Sequence, residues 1–228
     1  MKFFESKEEA LWRKKSGKQI RVAYIAMEYL PHGDIFDFIT NTGSFSEAMT
    51  RSLAWQLVEA LVHMNAKGFA NRDIKLENIM VGADFNLKLV DLGFATSLSG
   101  ADGDGLHMTR LGSQSYMAPE IFLKLHYQAP EVDIFALGVV LFLLFTGNRP
   151  FKTATMEDLY YKQIARGNLN LFWQAHEINC LDKRLSPEFK DLISNMLSCN
   201  PYERPCLAEV VGHPWMHSDK VTSQTACR

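Results

Sequence analysis

The chain has 228 residues, with 24 Lys and Arg against 26 Asp and Glu and a formal net charge of −2. A composition that is 47% hydrophobic and 22% charged excludes a chain that is disordered along its whole length. The near-neutral balance argues against a nucleic-acid binder whose affinity depends on a basic surface.

The cysteines and the first residues indicate a reducing compartment. The first fifteen residues mix charged and aromatic side chains, which is not the pattern of a signal peptide. The cysteines crowd the last quarter of the chain without the spacing of a metal site or a disulfide framework. They are Cys180, Cys199, Cys206 and Cys227. We therefore expect a cytoplasmic or nuclear protein.

The first thirty residues predict a hairpin around a charged insert. Residues 20–30 are apolar and β-branched at their start, which favours a strand, with residues 2–4 as its partner. The charged run at residues 7–18 predicts a solvated loop, because Glu8 and Glu9 interrupt any basic membrane-surface patch.

Three features follow in the next part of the chain. Ser44 and Glu47 have capping-box spacing, and apolar residues then recur at helical intervals up to Gly68, which predicts a helix. The short apolar runs NIMV and LKLV predict a small hairpin within residues 71–94. Residues 95–117 contain the string SGADGDG and predict a long loop, a feature that is usually functional in compact domains.

The run VDIFALGVVLFLLF at residues 132–145 is almost wholly apolar. Because a membrane span needs about 20 apolar residues, we interpret this run as a helix buried in a soluble core. Further helices are predicted at residues 156–165, after Ser186-Pro187, and near Pro205. The predicted fold class is α+β and mainly α-helical.

Three short strings stand in a fixed order: NRDIKLEN at residues 71–78, DLG at 91–93 and APE at 118–120. Each alone is a weak signal, since Asp-x-Gly is commonly a turn. Together they resemble the catalytic loop, the metal-binding loop and the end of the activation segment of eukaryotic protein kinases. The resemblance covers residues 3–216, and the ending GHPWM is similar to the calcium/calmodulin-dependent kinase group.

The resemblance implies roles for four residues of the first two strings. Asp73 would accept or orient the proton of the acceptor hydroxyl, and Lys75 would place a positive charge beside the transferring phosphate. Asn78 and Asp91 would hold Mg²⁺ through oxygen atoms, which suit that hard cation. A lysine two residues after the base resembles the serine/threonine class, so the implied activity is transfer of the ATP γ-phosphate to protein hydroxyls.

The resemblance also places the nucleotide. Met27, Glu28 and Leu30 would form the hinge that binds adenine, with Met27 as gatekeeper. Met80 would lie beneath the purine, although a methionine in an apolar run is otherwise a core residue. Asp34 would lie near the ribose.

A further set of matches is structural or regulatory. Asp133 would tie the catalytic-loop backbone to the central helix, and Glu120 and Arg204 would form a buried ion pair. Thr109 lies where related kinases carry an activating phosphate, and Arg72 would clamp that phosphate. We predict that phosphorylation of Thr109 orders residues 95–117.

The sequence departs from the family pattern in three ways. Asn71 replaces the usual histidine, and Leu92 the usual phenylalanine. No GxGxxG occurs, and neither the β-strand lysine nor its helix glutamate is found. The predicted division is a remnant of the small lobe at 1–30 (its last two strands and the hinge), the large lobe at 31–217, and a short tail at 218–228. Residues 221–228 of this tail are too short for an autoinhibitory helix.

Two interpretations of the truncated β small lobe remain open at this stage: an incomplete piece of an active kinase, or a catalytically inactive kinase-like binding module. A small-molecule phosphotransferase is a more distant alternative, because it typically lacks the APE string and the Arg204 partner. The expected partners are proteins with Ser or Thr, an upstream activating kinase, and neither nucleic acid nor membrane. Asp34 and Glu77 could attract an arginine upstream of the acceptor residue.

Overall fold

The computed structural model describes residues 2–178, 180 and 184–218. The chain begins with an antiparallel hairpin of β1 (Phe3–Arg13) and β2 (Gln19–Met27). Its turn is closed by the Lys14 amide, which donates to the Lys18 carbonyl, and by Gly17 at φ +85°. The predicted loop at residues 7–18 is therefore wrong for its first half. Charged side chains are compatible with this strand because neither face of the hairpin is buried.

The other strands are short and form three further two-stranded antiparallel sheets, β3 with β6, β4 with β5 and β7 with β8. The predicted hairpin within residues 71–94 is confirmed as β4 and β5, whereas the predicted loop at 95–117 contains β6 and β7. The bounds are β3 (Phe69–Ala70), β4 (Ile79–Val81), β5 (Leu87–Leu89), β6 (Thr96–Ser97), β7 (Leu106–His107) and β8 (Tyr127–Gln128).

Helices make up most of the remaining regular structure. Short 3-10 turns are present at Leu76–Asn78 and Pro201–Glu203. The α-helices are α1 (Ile35–Thr42), α2 (Glu47–Ala66), α3 (Pro119–Phe122), α4 (Ala129–Thr146), α5 (Tyr161–Ala165), α6 (Leu169–Glu177), α7 (Pro187–Met196), α8 (Leu207–Gly212) and α9 (Pro214–His217).

Two predicted helix starts need correction. The cap of α2 is Ser46, whose hydroxyl accepts from the Met49 amide, and not Ser44. Helix α5 begins at Tyr161 and not at residue 156; before it, the Asp158 carboxylate accepts from the amides of Tyr160 and Tyr161 in a turn. The predicted cap at Ser186 is confirmed, since its hydroxyl accepts from the Phe189 amide.

Helix α4 is the centre of the core. It has 18 residues and is long and apolar enough to cross a membrane, so length alone does not decide its environment. Burial does, because 89% of the helix is covered by the rest of the protein. Gly147 ends it in the left-handed conformation at φ +74°, and its amide donates to the Leu143 carbonyl. The expected buried core helix is confirmed.

The hairpin of β1 and β2 differs from this core, since none of residues 2–29 is buried. Its apolar side chains are exposed on a two-stranded ribbon: Phe3, Phe4, Leu11, Trp12 and Ile25. Such a ribbon is marginally stable in water. Residues 219–228, which hold most of the predicted tail, lie outside the described residues.

We expect the backbone amides of β1 and β2 to exchange with deuterium at least about a thousandfold faster than those of α4, because local opening free energies run from near zero up to the global value. Hydrogen exchange followed by mass spectrometry checks this, with peptides from α2 as an internal reference. Equal protection of the hairpin and α4 would contradict the expectation.

Candidate active site

A buried carboxylate fixes the loop between β3 and β4. The two oxygens of Asp133, on α4, accept from the backbone amides of Asn71 and Arg72, both at 2.7 Å. Burial raises the pKa of Asp133 to about 7, while the two amide donors act in the opposite direction. Arg72 adopts φ +63°, a conformation that costs about 1–3 kcal/mol for a residue with a side chain and clusters at functional sites. The loop is thus attached to the core helix.

The attached loop presents a cluster of polar side chains around Asp73. The Lys75 ammonium donates to Asp73 Oδ2 at 2.6 Å, and Asn78 Nδ2 donates to the same oxygen at 3.0 Å. Asn78 Nδ2 also donates to the Asp73 carbonyl at 3.0 Å. Asp73 is only 6% exposed, so these contacts are largely shielded from water. The structure therefore brings together three of the residues that the NRDIKLEN string singled out.

The second oxygen of Asp73 faces the segment before α3. Ser113 Oγ lies 3.5 Å from Asp73 Oδ1 and accepts from Lys75 Nζ at 3.2 Å. A side chain at Gly112 would come within 3.1 Å of the Arg72 carbonyl, so glycine permits this close approach. Two donors, Lys75 and Asn78, occupy Asp73 Oδ2. Among the described residues, Oδ1 has only the long contact to Ser113, so Oδ1 can accept a hydroxyl proton.

Asn78 and Asp91 offer oxygen atoms for a cation. Since Nδ2 of Asn78 is turned to Asp73, its Oδ1 is the side-chain oxygen that remains. The Val90 amide donates to the Asn78 carbonyl at 2.9 Å, which holds the residue before Asp91 against Asn78. Asp91 is exposed at φ +58°, and its Oδ1 accepts from the Gly93 amide at 3.1 Å.

This donor set fits Mg²⁺ and does not amount to a complete cage. The described part of the chain has no group of three or more His, Cys, Asp or Glu side chains that could hold a metal. Mg²⁺ typically binds one or two carboxylates and takes water and phosphate oxygens as its other ligands. Asn78 and Asp91 are therefore sufficient as the protein's share of such a site.

A buried ion pair lies between α3 and the segment before α8. Arg204 donates to the two oxygens of Glu120 at 2.7 and 2.8 Å, and the side chains are 0% and 3% exposed. Arg204 also donates to the carbonyls of Ser198 and Glu131, and its guanidinium lies 4.9 Å from the Phe135 ring centroid. The pair joins the end of the APE string to the core through a two-pronged contact.

Comparison with known proteins shows the family to which the chain belongs. The family model described as "Protein kinase domain" matches residues 13–216. The chain belongs to the protein kinase domain family. Its α+β, mainly helical architecture is that of the large lobe of such a kinase domain.

The relatives compared are protein kinases by name, and two of the three are named as serine/threonine kinases. The chain is 34% identical over 88% of its length to the probable serine/threonine-protein kinase MARK-A of Dictyostelium discoideum, 18% of which is covered. It is also 34% identical to CBL-interacting protein kinase 21 of Oryza sativa and 35% identical to serine/threonine-protein kinase cds1 of Schizosaccharomyces pombe. These matches cover 86% of the chain each and 35% and 42% of the relatives. The chain thus spans less than half the length of these curated relatives.

The residues predicted to bind the nucleotide are brought together only in part. Asp34 and Met80 form an antiparallel bridge, and the Val81 amide donates to the Gly33 carbonyl at 2.9 Å. Asp34 also caps α1, since its Oδ1 accepts from the Asp37 amide at 2.9 Å. Asp34 therefore has the ordinary capping role of an acid at a helix start, beside a half-buried Met80.

The predicted hinge lies at the end of the exposed hairpin. Leu30 is buried, while Met27 is 47% exposed at the end of β2 and is not enclosed as a gatekeeper would be. The Glu28 amide donates to the Lys2 carbonyl at 2.8 Å, and the Glu28 carboxylate accepts from the Lys2 amide. The hinge backbone is thus tied to β1 at Glu28.

Sequence reasoning missed two residues of the site, Ser113 and Tyr127. Ser113 contacts Lys75 across 38 positions of sequence, and Tyr127 contacts Arg72 across 55. A serine before the APE string and a tyrosine before an apolar run carry no spacing signal, because their partners are set by the tertiary fold. Thr109, which the sequence did single out, is exposed, and its carbonyl accepts from the Tyr127 hydroxyl at 2.8 Å.

Proposed function

We propose that this kinase domain transfers the γ-phosphate of ATP to serine or threonine hydroxyls of proteins. The observation that carries the proposal is the Asp73 carboxylate, whose Oδ2 is held by Lys75 and Asn78 while Oδ1 can receive a hydroxyl proton. Phosphoryl transfer depends on positioning and charge neutralisation more than on covalent chemistry, and this cluster supplies both. The names of the relatives support the serine/threonine class.

Each residue of the cluster has a distinct part in this reaction. Asp73 orients the acceptor hydroxyl and accepts its proton as the new P–O bond forms and the bond from the γ-phosphorus to the bridging β–γ oxygen breaks, with ADP as the leaving group. Lys75 holds Asp73 in place and neutralises charge that develops on the transferring group. Asn78 and Asp91 would hold Mg²⁺, which when bound neutralises phosphate charge. Asp34 and Met80, with the hinge at residues 27–30, would border the nucleotide.

The acidic residues near the site support a preference for basic substrates. Asp34 and Glu77 are the two acids concerned, and Glu77 is exposed and contacts the Tyr116 hydroxyl at 3.4 Å. We include in the proposal an arginine upstream of the acceptor, an upstream activating kinase, and a cytoplasmic or nuclear location. Neither nucleic acid nor membrane is a proposed partner.

The direct test is a transfer assay with the purified chain. Radiolabelled ATP, Mg²⁺ and a mixture of protein acceptors are incubated with residues 1–228, and the labelled amino acids are identified after hydrolysis. We expect slow labelling of serine and threonine, because this sequence contains no glycine-rich loop or β-strand lysine to hold the phosphates. Label on tyrosine, or on no amino acid above the enzyme-free background, would contradict the proposal. The absence of any label above background would favour the catalytically inactive binding module.

Phosphorylation of Thr109 is expected to order residues 95–117. The structure gives a short path for this effect, since Tyr127 bonds both the Thr109 carbonyl and Arg72, and a phosphate can form charge-assisted bonds with a nearby arginine. We expect amide exchange in residues 106–117 to slow by about tenfold, the effect of one or two such bonds. Hydrogen exchange of the phosphorylated and unphosphorylated chains checks this. Thr109→Ala, treated with the same kinase, is the control and should show no slowing.

A further inference from the structure

The Arg72 side chain joins segments that are far apart in sequence. Its backbone amide donates to Asp133 on α4, its Nε donates to the Phe94 carbonyl at 2.8 Å, and its Nη1 donates to the Tyr127 hydroxyl at 3.3 Å. Phe94 directly follows the DLG string, and Tyr127 lies just before α4. Arg72 thus connects the loop that carries Asp73 with the segment after Asp91 and with the base of the core helix.

Tyr127 extends this connection to the activation segment. Tyr127 is 3% exposed and lies on β8, which pairs with β7, and its hydroxyl donates to the Thr109 carbonyl at 2.8 Å. The direction of both hydrogen bonds is fixed by chemistry, since a guanidinium can only donate and a carbonyl can only accept. The Tyr127 hydroxyl therefore accepts from Arg72 and donates to the Thr109 carbonyl, and a phenylalanine at this position could do neither.

The contact at Thr109 is close in sequence to the reacting groups. Thr109 lies four positions before Ser113, which bonds Lys75 and lies beside Asp73 Oδ1. Residues 109–113 are held at one end by Tyr127 and at the other by the Asp73 cluster. At Gly112 they pass close to the Arg72 carbonyl. A shift at Thr109 would therefore move Ser113 relative to Asp73.

We propose that Tyr127 is a positioning residue that sets the place of residues 109–113 against Arg72 and the Asp73 cluster. The proposal rests on the proposed function, because the cluster it positions is the one assigned to phosphoryl transfer. Tyr127 touches no reacting atom and acts through Arg72 and Thr109. Tyr127 is part of the buried core that includes α4, and its strand, β8, directly precedes that helix in the chain, so its hydroxyl links the core to the activation segment.

Tyr127→Phe removes the hydroxyl and keeps the ring. The matched control is Tyr161→Phe, because Tyr161 is also buried and its hydroxyl has no hydrogen-bond partner among the described residues. We expect trypsin to cleave after the exposed Arg110 about five- to tenfold faster in Tyr127→Phe, the change in local opening for the loss of about one hydrogen bond. Tyr161→Phe should leave that rate unchanged, and the urea midpoints of the two variants should agree.

A spectroscopic readout separates positioning from general stability. In ¹H–¹⁵N spectra of the labelled chain, the Arg72 Nε–H signal should shift in Tyr127→Phe and remain in place in Tyr161→Phe. An unchanged cleavage rate and signal in Tyr127→Phe would overturn the proposal. Faster cleavage would also overturn it if the global free energy of unfolding, measured from the urea midpoint, fell enough to account for the faster rate. If Tyr127→Phe does not fold, the unmodified chain still decides: a missing cross-relaxation contact between the Arg72 Nη1 protons and the Tyr127 hydroxyl end would overturn the proposal. None of these measurements needs phosphate transfer, so a failed transfer assay would count against the proposed function alone.

Discussion

Glu120→Ala is expected to lower the free energy of unfolding by about 3–5 kcal/mol, because it leaves a buried guanidinium without its counter-charge. The Arg204 side chain is 0% exposed and cannot reach water without disturbing its contacts with Ser198, Glu131 and Phe135. A domain of this size has a stability of about 5–15 kcal/mol. The variant should therefore be marginal, with a Tm lower by about 10 °C. Urea unfolding followed by circular dichroism measures the change.

Two comparisons make this expectation specific. Glu5→Ala makes the same chemical change at the exposed Lys7–Glu5 pair and should cause no measurable loss, since both side chains are more than half exposed. The double variant Glu120→Met with Arg204→Met should recover much of the stability, because a buried ion pair can often be replaced by apolar residues of similar volume. A loss in Glu120→Ala no larger than in Glu5→Ala would show that the pair does not hold the APE segment to the core.

The sequence predicted the large features of this fold because their signals are local. The apolar run at residues 132–145 specifies a helix without reference to the rest of the chain, and helix α4 extends it by only a few residues. Ser186-Pro187 carries its own cap and first-turn proline, and α7 begins there. The strings around Asp73, Asp91 and Glu120 were informative because the chemistry of the site needs these residue types at fixed spacings.

The errors arose where tertiary structure and not local pattern decides. The charges within residues 7–13 would argue against a strand if one face of that strand had to be buried. Strand β1 buries neither face, so it tolerates them. Ser44 and Ser46 are both plausible caps in sequence, and only the geometry shows that Ser46 faces the Met49 amide. Tyr127 was missed for the same reason, since its role depends on two partners that lie 18 and 55 positions away.

Asp73→Asn is expected to lower the rate of phosphate transfer by about 10²–10⁴, the usual contribution of a positioned general base. The carboxylate accepts from two donors on one oxygen, the Lys75 ammonium and Asn78 Nδ2. An asparagine amide has only one acceptor oxygen. If that oxygen faces Lys75 and Asn78, the oxygen beside Ser113 is lost; if it faces Ser113, Lys75 and Asn78 lose their shared acceptor. The proton acceptor disappears in either case.

The measurement is single-turnover transfer of radiolabelled phosphate by the unmodified chain, Asp73→Asn and Asp84→Asn. Asp84 is a matched control, because it is an exposed aspartate on the turn between β4 and β5 that bonds only to its neighbour Asn86 among the described residues. Binding of ATP with Mg²⁺, measured separately by titration, should change far less than the transfer rate, since Asp73 contacts the metal pair only through Asn78, whose Nδ2 also donates to the Asp73 backbone carbonyl. A transfer rate in Asp73→Asn within tenfold of the Asp84→Asn rate would show that Asp73 is not the general base, because loss of a general base lowers the rate by at least about a hundredfold.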